Sequence, residues 1–136
     1  MGTTQTYKVK VERIDEAHAR STVRDFSLIL GARRADARAG FNPVETMLSA
    51  VGGCLLTALD YVAQLSHVPI TAASVEVEGA RQDMPPTLTQ IRYVLRIVSD
   101  APDERLERLA ELARANSTVF QTVSMAVPIT GRWERV

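Results

Sequence analysis

The chain has 136 residues, of which 46% are hydrophobic. That suits one globular domain with a real core, so residues 1–136 are expected to fold as a single unit. Sixteen basic and sixteen acidic residues cancel, which removes the broad electrostatic attraction behind non-specific nucleic-acid or anionic-membrane binding, so small molecules and proteins are the expected partners, with no nucleic acid and no membrane.

Met1 to Thr6 lack the basic start and apolar run of a secretory signal, and a lone cysteine cannot form an internal disulfide, so a cytoplasmic location is expected. Tyr7, Val9 and Val11 alternate with Lys8, Lys10 and Glu12. Phe26, Leu28 and Leu30 repeat that period after a polar stretch from Asp15 to Arg24, which predicts an antiparallel strand meander over the first third. Gly31 to Phe41 has no usable periodicity and reads as a surface loop carrying Arg33, Arg34 and Arg38.

Asn42 then suits a helix N-cap, Pro43 the first helical position, and Glu45 the reciprocal place in a capping box. The apolar stretch that follows reaches about Ser66, where the His67-Val68-Pro69 sequence ends it, with His67 as a C-terminal cap or surface residue. Val44 to Leu65 is long enough to cross a bilayer, which needs about 20 residues. Asp60, Glu45 and the Gly52-Gly53 pair inside it favour a buried core helix instead. Each interior glycine costs a helix about 1 kcal/mol relative to alanine, so something is expected to approach this helix closely.

Val75 and Val77 alternate with Glu76 and Glu78, Asp83 to Pro86 supply a turn, and Ile91, Tyr93, Leu95 and Ile97 form one face of a longer strand, which together make a hairpin. Asp100 to Glu104 start a second helix with Leu106, Leu109, Ala110 and Ala113 as its buried stripe. A short turn from Ser117 to Val123 leads to a last strand in which Met125, Val127, Ile129 and Trp133 share a face, with Pro128 marking an edge. The order β-β-β-α-β-β-α-β predicts an α+β fold.

Cys54 is the only cysteine. On a helical wheel it shares a stripe with Met47, Val51, Ala58, Tyr61 and Leu65, so it is either a space-filling core thiol or a reactive one in an apolar setting. Reactivity needs the thiolate, and Cys54 sits about three turns into its helix, so any activating group must come from elsewhere in the fold. With His18 and His67 as the only histidines, no metal site is expected. No glycine-rich phosphate loop follows a strand, and no cofactor is implied.

The run Asn42-Pro43-Val44-Glu45-Thr46-Met47-Leu48-Ser49-Ala50-Val51-Gly52-Gly53-Cys54 resembles the first-cysteine motif of the OsmC/Ohr family, and the order of elements is similar across nearly the whole chain. The resemblance implies antiparallel sheets around a long, central, buried helix and an intertwined homodimer whose thiol sites draw on both subunits. It also implies reduction of an organic hydroperoxide by Cys54, with Glu45 as a candidate catalytic carboxylate and Met47, Tyr61, Ser117 and Phe120 as candidate binding residues.

Two features depart from the family pattern. The stretch that matches the family's second-cysteine motif begins at Ser117, and a hydroxyl cannot resolve a sulfenic acid, so an external thiol reductant would complete the cycle. Ser117 could equally cap the turn that follows it, with Thr118 and Gln121 as an alternative capping pair. The turn after the first strand offers only His18, Arg20 and Arg24 near the place of the family's activating arginine; Arg33, Arg34 or Arg38 are alternatives. Glu45 also stands one position later than the carboxylate of the Ohr branch. The resemblance thus implies a stress-response protein; the competing reading is a non-enzymatic dimer that binds a hydrophobic small molecule or protein in an interface pocket.

Overall fold

The computed structural model describes residues 2–136. They form two compact units, one running to Met47 and the other from Leu48 to Val136.

The first unit holds a three-stranded antiparallel sheet of β1 (Lys10–Arg13), β2 (His18–Val23) and β3 (Phe26–Gly31). The middle strand occupies the stretch that reads as polar. Its register sets Val11 against Ser21 and Ser21 against Leu28, so alternation collects Val11, Ala19, Val23, Phe26, Leu28 and Leu30 on one face. That face lies largely open: Phe26 is 66% and Leu28 62% exposed. The loop after β3 contains a short 3-10 helix, Ala37–Ala39, capped by Asp36.

The α1 helix (Pro43–Leu65) starts as its sequence predicts. The Asn42 side chain accepts the Glu45 N–H at 2.8 Å, and the Glu45 carboxylate accepts the Asn42 N–H at 3.0 Å, closing a capping box. At the other end His67 adopts φ 54°. Its N–H reaches the Gln64 carbonyl and the Val68 N–H reaches the Ala63 carbonyl, a Schellman ending in which His67 holds the left-handed position usually given to glycine.

By length and composition α1 could cross a membrane. Val51, Leu55, Ala58, Leu59, Val62 and Ala63 nevertheless belong to the hydrophobic core of the second unit. Gly52 explains itself there. A Cβ at that position would lie 3.0 Å from a Val75 methyl and 3.2 Å from one of Val77, so the missing side chain lets α1 rest on a strand. Gly53 has nothing within 4 Å of its would-be Cβ and lies on the exposed side with Ser49, Thr57, Asp60 and Gln64.

The second unit is built on a sheet in the order β4 (Ala72–Gln82), β5 (Thr87–Val98) and β6 (Ile129–Arg135). The β4–β5 hairpin is antiparallel, whereas β6 joins β5 in parallel, making this sheet mixed. The direction follows from the crossover through α2 (Asp103–Ala115) and α3 (Thr118–Val123), because a strand returning through helices re-enters beside its predecessor pointing the same way. Ile91, Tyr93, Leu95 and Ile97 face the core together with Leu106, Leu109 and Ala113 of α2.

Two local expectations change. Ser117 to Val123 forms a cap and a one-and-a-half-turn helix, and Ser124 to Val127 continues as turn, so the last strand begins only at Ile129. Met125, read as part of that strand's face, is 88% exposed.

Candidate thiol site

Cys54 is half-buried on the flank of α1, between buried Val51 and Leu55 and exposed Gly53 and Thr57. Its sulfur accepts a hydrogen bond from the backbone N–H of Val119 at 3.4 Å. The donor comes from the first turn of α3, where backbone N–H groups have no acceptor within their own helix. Two side chains satisfy that turn: Ser117 Oγ accepts the Phe120 N–H at 3.3 Å, and Cys54 accepts that of Val119. The sulfur therefore helps to cap a helix from 65 residues away in sequence.

Ser117 is fully buried, and its hydroxyl serves as the α3 N-cap. That confirms its capping role in place of the alternative pair Thr118 and Gln121. Phe120 follows, 4% exposed. Its ring meets that of Tyr93 edge-on at a centroid distance of 6.0 Å, and the Arg114 guanidinium carbon lies 5.5 Å from its centroid. Burial pushes the Tyr93 phenol up, partly opposed by the positive charge of Arg114.

The second unit thus brings together Cys54, Ser117 and Phe120 from the predicted set. Tyr61 is 56% exposed on α1, and Met47 is half-buried at the end of the first unit. Glu45, also in the first unit, is engaged in the capping box. Of the basic candidates, His18 pairs with Asp15 at 2.8 Å, Arg33 lies 3.9 Å from Glu16, and Arg34 and Arg38 are exposed. Among the described residues, no basic side chain hydrogen-bonds the Cys54 sulfur, and no group of His, Cys, Asp and Glu could hold a metal ion.

Sequence reasoning did not find the Val119 N–H, Arg114 or Tyr93. A backbone donor carries no residue signature, while Tyr93 and Arg114 read as one more core aromatic and one more surface charge.

Comparison with known proteins agrees with this architecture. A solved structure described as an OsmC-like protein from Mycoplasma pneumoniae superposes with a TM-score of 0.90 at 18% identity, covering 98% of this chain and 99% of that one. The organic hydroperoxide resistance protein OhrB of Bacillus subtilis gives a TM-score of 0.66 at 21% identity, covering 96% and 98%. A structure described as an organic hydroperoxide resistance protein OsmC from Legionella pneumophila gives 0.74 at 15% identity, covering 98% and 99%. None of the curated proteins matches the chain. The family described as OsmC-like protein matches residues 34–131, a span that includes the whole of α1, the thiol and its α3 donor, and the chain belongs to that family.

Proposed function

We propose that this protein is a homodimeric, thiol-dependent reductase of organic hydroperoxides that uses Cys54 without a resolving cysteine. The Cys54 thiolate attacks the O–O bond of ROOH: an S–O bond forms, the O–O bond breaks, and the alkoxide leaves and is protonated to ROH. The peroxide gains two electrons and the sulfur becomes a sulfenic acid. An external thiol then condenses with it, releasing water and leaving a mixed disulfide. A second thiol attacks that bond, regenerating Cys54 and departing as the external disulfide. A reducing cytoplasm would supply such thiols.

The observation that carries this reading is the half-buried Cys54 sulfur held against the Val119 N–H at a helix start. Kinship with organic hydroperoxide resistance proteins in fold supports the substrate class. The open apolar face of the first sheet, and the exposed side of α1 around Gly53, support assembly with a second copy. The test is consumption of cumene hydroperoxide with dithiothreitol as reductant. Turnover by the native chain and none by Cys54→Ser is expected; no consumption with any of several thiols removes the reading.

A second reading is favoured by the fully engaged Ser117 and by the lack, among the described residues, of a basic side chain bonded to Cys54. It is a dimer that binds a hydrophobic molecule without chemistry. Native mass spectrometry separates the two, since a retained ligand together with inert Cys54 belongs only to this second case.

A further inference from the structure

Tyr93 is 5% exposed, yet its phenolic hydroxyl has no hydrogen-bond partner among the described residues. Buried phenols nearly always find one. Among the described residues no fully buried side-chain nitrogen or oxygen is left unsatisfied, so this hydroxyl keeps a small opening to solvent. The ring's course is fixed by its neighbour across the sheet. Tyr93 pairs with Gly131 of the edge strand β6, and a Cβ on that glycine would fall 2.3 Å from the ring. The phenol can therefore lie only across a residue without a side chain, directed over β6.

Arg114 has a matching vacancy. In the second unit Arg81, Arg92, Arg96, Arg108, Arg132 and Arg135 all pair with carboxylates, and Arg105 donates to the Ser66 carbonyl. Only Arg114 makes neither kind of bond among the described residues; it is held by the Phe120 ring alone. Its charge acts on the Tyr93 phenol without a direct hydrogen bond between them. Two donors, both lacking acceptors among the described residues, thus border the same Phe120 ring, the Tyr93 ring edge-on at 6.0 Å and the guanidinium 5.5 Å from its centroid. Burial keeps the phenol protonated at neutral pH, so it remains a donor.

We propose that Tyr93 and Arg114 form a subsite for the carboxylate of a small organic acid, with the guanidinium and the phenol donating to its oxygens and Phe120 lying against its apolar part. Guanidinium and carboxylate match as a planar, charge-assisted pair, and the aromatic wall favours an organic acid over an inorganic ion.

The test is 19F NMR of 4-fluorobenzoate titrated with the full chain at fixed ionic strength, with 4-fluorobenzyl alcohol as the neutral analogue. It contains no peroxide or reductant, so its outcome is independent of Cys54 chemistry. Saturable broadening of 4-fluorobenzoate alone is expected. Arg114→Gln and the isosteric Tyr93→Phe should each weaken binding roughly tenfold, the scale of a hydrogen bond to a charged group, and Arg114→Lys should lose less than Arg114→Gln. Unchanged circular dichroism would show that the variants fold. No broadening, equal binding by the alcohol, or equal affinity in Arg114→Gln and Tyr93→Phe would overturn the subsite. Displacement by inorganic phosphate at lower concentration than by acetate would overturn the carboxylate assignment.

Discussion

The Cys54 sulfur and the Val119 amide, 65 residues apart in sequence, meet at 3.4 Å. One thiol thereby becomes both the proposed reactive group and part of a helix cap. Cys54→Ser separates the two roles. The serine hydroxyl can still accept an N–H, so thermal stability is expected to change by less than about 1 kcal/mol, within the ordinary range for a single hydrogen bond. Hydroperoxide consumption should vanish. Calorimetry and a peroxide assay on the same preparation check both halves.

Ser117→Ala should do the reverse. It removes a buried N-cap acceptor and leaves the Phe120 N–H unmet, so unfolding in urea should show a loss of about 1–2 kcal/mol. Turnover per folded molecule should remain within twofold of the native chain, since the proposed cycle passes no atom through the hydroxyl.

The glycine pair separates an internal fit from an external one. Gly52→Ala gains helix propensity of about 1 kcal/mol but presses a methyl onto Val75 and Val77. These β-branched side chains are held to few rotamers, and overpacking costs about 1–3 kcal/mol, so net destabilisation is expected in thermal melts. Gly53→Leu meets nothing within the chain. If a second copy covers that side, light scattering should show the mass of the particle halved.

His67→Gly should stabilise. His67 sits at φ 54° in a Schellman ending, where a side chain is strained and glycine is at ease. A gain of about 0.5–1 kcal/mol is expected in urea unfolding.

Asp15 gives the acid limb of stability a specific origin. Its carboxylate is held below the ordinary carboxylate range, chiefly by the Ala17 N–H and then by His18. A lowered carboxylate contributes above its unfolded value and loses that contribution as pH falls through the folded one. Melting temperature against pH should therefore flatten below about pH 4 in Asp15→Asn, with a small amplitude because the pair is exposed.

What could be read from sequence was local. Asn42, Pro43 and Glu45 lie within one turn of each other, so the capping box was legible as composition and spacing, as was the α2 stripe of Leu106, Leu109 and Ala113. The middle strand His18–Val23 was not, because only one of its faces is apolar and Ala19 and Ser21 are small. The final strand begins later than its alternation suggests, because Met125 and Val127 imitate the strand period while hydrogen bonds from Met125, Ala126 and Val127 back to Thr122 and Val123 hold the turn. At the thiol, Cys54 was legible as a motif residue, whereas its Val119 donor arises only when α3 packs beside α1. The Gly52-Gly53 pair signals a close approach, which β4 makes at Gly52, while Gly53 meets nothing within the chain.

The parallel docking of β6 has a consequence for how the molecule is made. Residues Ile91 to Ile97 find their neighbours at Ile129 to Arg135, so during synthesis one flank of β5 stays bare until the two helices between them and β6 itself have emerged. A nascent chain waits with an open strand edge, the kind of surface that recruits chaperones or neighbouring chains.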